Sequence, residues 1–347
     1  MIKTSLKILL FNCAAFFLLV IGAHLIHELF IYEPKKVIEG ARSNFEYHPF
    51  PYISFKGIPG EGYYNEEGYR SPVPVSNELR RGPRIFLLGG SSLVNGTETL
   101  AQLLQNRFDN EGIHVEIYNR GVVSSAIRQD LSRLVHEIVD HNPDLIIFYH
   151  GFNELMNQLY GDPRVGYPFN FWISENNPLH LRKANEFPLL KMLLLRSTIA
   201  RQYFPRELES LVVNTEKYNQ EVNKFSEGWE QEIVNDYWQS LEKFKELEKA
   251  FGYKTMVFFQ PVFFGHPDYK AQDDGRNEHH KSFKRMFHLL MNDPRKKEFS
   301  YNDLSKFFDD QKKSPFRDDV HIDDKGREKV ADAIYPIIKR QIEALNQ

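Results

Sequence analysis

Three short apolar runs in the middle of the chain constrain its fold more than any other feature. They cover residues 85–88, 115–118 and 145–149, and a loop rich in glycine and polar residues follows each one. Such runs are typical of buried strands in a parallel sheet. Apolar residues at helical spacing lie between them, which predicts crossover helices. The sequence therefore predicts an α/β fold whose loops gather at the carboxyl edge of the sheet.

The second half of the chain continues this pattern. Residues 234–251 have helical spacing and precede an apolar run at 255–259, which predicts a helix followed by a fourth strand. Residues 299–304 are predicted to form a short fifth strand. The tail after Asp323 is amphipathic, and Asp323 can cap it as a helix. The alternation of strand and helix thus extends nearly to the C-terminus.

Four short segments carry residue types that acyl-transfer chemistry needs. They are Gly89-Gly90-Ser91-Ser92, Asn119-Arg120-Gly121, Gly151-Phe152-Asn153-Glu154 and Asp318-Asp319-Val320-His321. Together they supply a hydroxyl, an imidazole with nearby carboxylates, backbone amides and an amide side chain. A serine hydroxyl needs a base to take its proton, and histidine, with a reference pKa of about 6.5, can do this near neutral pH. The set matches a nucleophile, a base, an orienting acid and an oxyanion hole.

These segments, in this order, resemble those of the SGNH hydrolase superfamily, the GDSL-like esterases and lipases. The resemblance spans roughly residues 60–340 and implies a three-layer α/β/α domain with a mostly parallel, flavodoxin-like sheet. It implies that Ser91 is the nucleophile, with His321 as its base and Asp318 as the partner of the histidine. It further implies an oxyanion hole made by Ser91, Gly121 and Asn153.

Two positions depart from the usual blocks of this family. Gly90 stands where the family has aspartate, and Glu154 stands where it has a second aspartate. Ser92 is the alternative nucleophile, since it lies next to Ser91 in the same turn, and Asp319 is the neighbouring carboxylate. Residues 65–70, Asn-Glu-Glu-Gly-Tyr-Arg, are similar to an Asn…Gly-Phe-Arg segment of envelope-associated members.

The N-terminus predicts a membrane-spanning helix. Residues 8–26 contain no Asp, Glu, Lys or Arg, and as a helix they would extend roughly 28 Å, close to the hydrocarbon thickness of a bilayer. Lys3 and Lys7 precede this run, which favours a cytoplasmic N-terminus and a domain on the periplasmic or outer side. We therefore expect a single-pass anchor. The alternative is a cleaved signal peptide, which would leave the domain secreted.

We expect three regions along the chain. Residues 1–30 form the anchor, residues 31–83 a proline-, glycine- and aromatic-rich stalk that packs on the domain, and residues 84–347 the hydrolase domain. An insertion at 155–232 is expected to lie near the substrate site, because it follows the carboxyl end of a strand. Its apolar stretch at 188–196 predicts a lid or membrane-contacting patch, or a helix packed on the domain.

The predicted function is serine-dependent ester hydrolysis, of the acylhydrolase or carbohydrate O-acetylesterase kind, through an acyl-Ser91 intermediate. One alternative is an O-acyltransferase that uses the same site on an envelope glycan, and another is a catalytically silent glycan-binding or assembly scaffold. No cofactor or metal is expected, because His279 and His280 lie next to what resembles a solvated polar loop. A net charge of −3 without a long basic block argues against a nucleic-acid partner.

Overall fold

The computed structural model describes residues 2–31, 48–50, 52–71, 80–169, 171, 193–194, 197–204, 215–265 and 277–345. These residues belong to two compact units. The smaller unit is drawn from Met1–Lys36 and Phe171–Lys217, and the larger from Val37–Asn170 and Tyr218–Gln347. The candidate site lies entirely in the larger unit.

The described residues contain the following strands and helices. The strands are β1 (His48–Phe50), β2 (Ser54–Lys56), β3 (Arg84–Gly89), β4 (Glu116–Asn119), β5 (Leu145–His150), β6 (Lys254–Phe259) and β7 (Tyr301–Asp303). The helices are α1 (Ile2–Ile26), α2 (Ser91–Val94), α3 (Leu100–Asn110), α4 (Ile127–Arg133), α5 (Phe152–Tyr160), α6 (Thr198–Tyr203), α7 (Thr215–Glu221), α8 (Glu227–Phe251), α9 (Asn277–Asn292) and α10 (Asp324–Leu345). Short π-helical turns, His27–Ile31 and Leu134–Ile138, follow α1 and α4.

The larger unit is built on a five-stranded parallel sheet with the order β4-β3-β5-β6-β7. Counted from β3, this is the flavodoxin-like order 2-1-3-4-5, in which loops collect where the strand order reverses. That reversal lies between β3 and its neighbours β4 and β5, the three strands that lead into the first three predicted segments. The predicted α/β class and parallel sheet are confirmed. β1 and β2 form a separate antiparallel pair.

Helices cover both faces of this sheet. Ile85 and Leu87 of β3 point to a core shared with α3 and α10, whereas Phe86 and Leu88 point to a core shared with α4, α5, α8 and α9. All six residues of β3 and of β5 are buried, because both faces are covered. The arrangement is the predicted three layers, with helices on either side of the sheet.

Helix caps explain where several helices begin. The Thr99 side chain accepts a hydrogen bond from the Gln102 N–H at the start of α3, at 3.1 Å. Ser226 caps α8 in the same way, so this helix begins at Glu227, earlier than the predicted residue 234. Asp323 Oδ1 accepts the Gly326 N–H at 2.7 Å, which confirms the predicted cap of α10.

Part of the segment before β3 packs into the larger unit. Ile53 and Tyr69 are each 1% exposed, and Gln129 Nε2 donates to the Ile53 carbonyl at 2.7 Å. The predicted stalk boundaries, 31–83, and insertion boundaries, 155–232, remain predictions. Apart from Leu193 and Leu194, the apolar stretch at 188–196 lies outside the described residues.

The smaller unit contains one N-terminal apolar helix. Within the described residues, Phe11–Ile31 is the only helical stretch long and apolar enough to cross a membrane. This property suits either an anchor or a signal sequence.

Candidate active site

The Ser91 hydroxyl lies just beyond the carboxyl end of strand β3. The strand ends at Gly89, Gly90 makes the turn, and Ser91 is the first residue of α2. Ser91 is 7% exposed, and its Oγ lies 2.6 Å from His321 Nε2. The two residues are 230 positions apart in the sequence. The fold thus brings together the predicted nucleophile and the predicted base.

His321 is held by Asp318 on its other side. His321 Nδ1 and Asp318 Oδ2 are 2.6 Å apart, and the His321 and Val320 N–H groups donate to Asp318 Oδ1 at 2.8 and 3.0 Å. Burial alone would raise the pKa of Asp318, but the hydrogen bonds and the charge of His321 outweigh it and lower this pKa below its ordinary value. Asp318 therefore stays ionised and fixes the imidazole so that Nε2 faces Ser91.

Asn153 brings its side-chain amide next to the serine turn. It follows β5 through Gly151, whose φ of +115° lies in a region that favours glycine. Asn153 Nδ2 donates to the Ser125 carbonyl at 2.8 Å and lies so close to Gly90 that a β-carbon at position 90 would overlap it. One N–H of the amide is therefore fixed by Ser125, which leaves the second N–H beside the residue that precedes Ser91.

Gly121 is placed near the same turn, but its N–H is already engaged. It donates to Asn119 Oδ1 at 2.9 Å, so this hydrogen bond would have to break for Gly121 to play the oxyanion role predicted for it.

Arg70 and Asn119 hydrogen-bond to the C-terminal end of α2, the short helix that begins at Ser91. The Arg70 guanidinium donates to the carbonyls of Val94 and Thr97 at 2.7 and 2.8 Å. Asn119 Nδ2 donates to the carbonyls of Leu93 and Arg70, at 2.7 and 2.8 Å. These bonds satisfy carbonyls at and just beyond the end of α2, so the C-terminal end of the helix that carries Ser91 is fixed.

The segment around Arg70 is itself tied to the loop after β4. The Arg120 guanidinium lies over the Tyr69 ring at 4.4 Å and donates to Glu67 Oε1 at 2.9 Å. The Tyr69 hydroxyl donates to Glu137. Burial is the main cause that raises the pKa of Tyr69, so the phenol stays neutral and remains a donor. The Asn…Gly-Tyr-Arg similarity noted in the sequence therefore falls on residues that support the site.

Glu154 stabilises the turn that carries Asn153. Its Oε2 accepts the Gly151 N–H at 2.8 Å, while Oε1 is buried without a hydrogen-bond partner. Burial raises the pKa of Glu154 to about 7, against the lowering effect of backbone hydrogen bonds. The side chain lines a small cavity between α4, α5 and α8, which has room for about one water molecule. Glu154, the second position that differs from the usual blocks, thus keeps a hydrogen bond to the backbone of the turn before Asn153.

Other candidate groups are placed as follows. Within the described residues no cluster of three or more His, Cys, Asp or Glu side chains could hold a metal ion. His279 stacks on Tyr160 with ring centroids 4.8 Å apart, and His280 packs against Phe264. Asp273 and Asp274 lie outside the described residues.

Comparison with known proteins finds similarity in structure only. No family model matches the chain, and no curated protein sequence matches it. Among solved structures it is similar to the acetyl xylan esterase AlAXEase, with 13% identity and a TM-score of 0.42 over 74% of this chain and 99% of that one. It is also similar to Axe2, an acetylxylan esterase from Geobacillus stearothermophilus, with 12% identity and a TM-score of 0.42 over 76% and 96% of the two chains.

A GDSL-like lipase from Bacteroides thetaiotaomicron VPI-5482 shows 11% identity and a TM-score of 0.38 over 75% of this chain and 88% of that one. The chain is thus similar in structure to SGNH and GDSL-like esterases at low identity.

Proposed function

We propose that the chain is a serine-dependent ester hydrolase. The observation that carries this proposal is the pair of 2.6 Å hydrogen bonds that join Ser91 Oγ to His321 and His321 to Asp318. Ser91 Oγ attacks the ester carbonyl carbon while His321 Nε2 takes the hydroxyl proton. The C–O bond to the alcohol then breaks, and His321 returns the proton to the departing alkoxide. Asp318 stabilises the imidazolium that exists between these steps.

The acyl group is then released by water. His321 takes a proton from the water, the hydroxide attacks the acyl carbon, and the bond to Ser91 Oγ breaks as the serine regains its proton. Both halves of the reaction use the same three residues. The site needs no group beyond this chain to balance the protons.

Three N–H groups are proposed to stabilise the oxyanion. Ser91 supplies its backbone N–H, which is an unsatisfied donor at the start of α2. Asn153 supplies its second amide N–H. Gly121 is the third proposed donor, and its N–H would have to leave Asn119 Oδ1 to reach the oxyanion. Donors of this kind contribute roughly 3–4 kcal/mol each to transition-state stabilisation in other hydrolases.

We further propose that the enzyme is anchored in a membrane and acts outside the cytoplasm. The uncharged run at residues 8–26, with Lys3 and Lys7 before it, supports this orientation. An ester of an envelope glycan is the substrate class that fits such a location.

A substitution pair tests the proposed chemistry. The full-length chain in detergent is assayed on short-chain aryl esters and on acetylated glycans. Ser91→Ala should lower turnover by roughly 10⁴-fold or more, because the nucleophile is gone. Ser92→Ala is the matched control and should stay near wild type. A Ser91→Ala variant with normal turnover would show that the hydrolysis does not use this serine.

A further inference from the structure

Helix α6 of the insertion packs on the residues that follow the membrane-spanning helix. Thr198 Oγ1, at the start of α6, lies 3.0 Å from His27 Nδ1. Both side chains are 4% exposed. At the other end of α6, the Tyr203 ring lies edge-on to the His27 ring with centroids 6.0 Å apart. A segment far along the chain is therefore fixed to the C-terminal end of α1.

The position of His27 relative to the bilayer determines how deep α6 lies in the membrane. Ile26 is the last residue of the uncharged run, and His24, His27 and Glu28 are the polar groups at its end. His24 and Glu28 contact each other at 3.7 Å. Polar groups grouped at one end of an apolar helix mark the level where a chain leaves the hydrocarbon. Because Thr198 of α6 is hydrogen-bonded to His27, α6 lies at the same level of the bilayer as His27.

At this level the smaller unit exposes several large apolar side chains. Leu29 is 71% exposed and Phe30 is 81% exposed, in the turn after α1. Tyr203 and Phe204, at the end of α6, are 58% and 53% exposed. Aromatic side chains at the end of a membrane helix are typical of residues that lie among lipid headgroups.

We propose that α6 is a membrane-surface element, with Tyr203 and Phe204 seated among the lipid headgroups beside α1. The inference rests on the anchor proposed above. The bilayer is the chosen partner because Tyr203 and Phe204 are exposed apolar side chains on a helix that contacts His27, the first residue after α1.

The contact also bears on whether α1 is removed. Cleavage after residue 27 would take away the histidine that contacts Thr198 and Tyr203. Cleavage within α1 would leave His27 on the mature chain, so the contact bears only on cuts beyond His27.

Site-specific fluorescence in vesicles tests the proposal. Cys13 is the only cysteine of the chain, so Cys13→Ser gives a background for single cysteines at chosen sites. Phe204→Cys is labelled with the environment-sensitive dye NBD in the full-length chain, reconstituted into phosphatidylcholine–phosphatidylglycerol vesicles. Lipids that carry a nitroxide near the headgroup should quench this probe, and the same vesicles without nitroxide are the control.

A second probe separates the two proposals. Leu18→Cys lies inside α1 and should be quenched by lipids with a deeper nitroxide. If this probe is not quenched, the anchor is wrong and the inference falls with it. If Leu18 is quenched while Phe204 is not quenched by the headgroup nitroxide, the anchor stands and the placement of α6 at the membrane surface is wrong.

Discussion

At the scale of single residues, the site depends on how closely Asn153 approaches the serine turn. A glycine at position 90 leaves room for the Asn153 amide, which a β-carbon would overlap. Gly90 thus lets the Asn153 amide lie directly against the turn that carries Ser91.

This packing predicts the effect of Gly90→Ala. The added methyl group should displace the Asn153 amide and lower kcat by about 10²- to 10³-fold, as expected for the loss of one oxyanion donor. Asn153→Ala should have a similar effect, and the double variant should be little worse than either, because the two substitutions remove the same interaction. Steady-state kinetics with an aryl ester measures all three. Independent, multiplying effects would show that Gly90 does not act through Asn153.

Substitutions of the two neighbouring carboxylates, Asp318 and Asp319, are predicted to differ sharply in their effect on kcat. Asp318→Ala should lower kcat by roughly 10⁴-fold, because the imidazole loses its orientation and the charge that supports the imidazolium. His321→Ala should be more damaging, since it removes the base itself. Asp319→Ala, the neighbouring control, should have a small effect. If Asp319→Ala lowered kcat strongly and Asp318→Ala left it unchanged, Asp319 rather than Asp318 would be the partner of His321.

At the scale of elements, the nucleophile helix α2 is too short to hold its own position. It has four residues, so most of its backbone groups lack helical partners. The carbonyls at and beyond its end are satisfied by Arg70 and Asn119, which belong to other segments. The precision of the site therefore comes from loops outside the strand–helix pattern.

Arg70→Ala is predicted to misplace α2 without unfolding the domain. Loss of the bonds to Val94 and Thr97 should lower kcat by about 10- to 100-fold, because small displacements of a nucleophile are costly. The matched control is Arg107→Ala on α3, which loses a surface ion pair with Asp332 and should change kcat little. Equal effects of the two substitutions on kcat would show that Arg70 has no special role.

The turn before α5 should make stability depend on pH through Glu154. Its pKa is 4.5 ordinarily and about 7 in the folded chain, so the folded chain binds more protons than the unfolded chain between these values. The free energy of unfolding should therefore fall as the pH rises through this window, by on the order of 3 kcal/mol. Glu154→Gln should lack this decline, and Glu232→Gln, an exposed control on α8, should keep it. Denaturant unfolding at several pH values measures the difference, and identical pH profiles for wild type and Glu154→Gln would contradict the burial argument.

The sequence predicted the sheet better than it predicted the site's supports. Strands buried on both faces are apolar along their whole length, so β3 and β5 were visible as runs. Ser91, Asn153, His321 and Asp318 were predictable as residue types in ordered blocks. The hydrogen bond between the Gly121 N–H and Asn119 Oδ1 was not predictable, because it depends on the path of a loop. The contacts of Arg70 join segments distant in sequence, and one sequence contains no signal for such pairs.

At the scale of the whole molecule, the two proposed functions belong to different units. The larger unit contains the complete Ser91, His321 and Asp318 arrangement, and the smaller unit contains the apolar helix α1 with α6. The proposed hydrolysis and the proposed membrane contact are therefore separable by substitution. Changes at Tyr203 or Phe204 are expected to alter membrane contact while leaving the hydrogen bonds of the site in place.

The identity of the nucleophile is tested most directly by locating a covalent adduct. The full-length chain is treated with a fluorophosphonate, digested with a protease, and the modified residue is identified by tandem mass spectrometry. We expect a single adduct on Ser91 that is absent after His321→Ala, because the hydroxyl then has no base to activate it. An adduct on Ser92, or no adduct on the folded wild-type chain, would show that Ser91 is not the nucleophile.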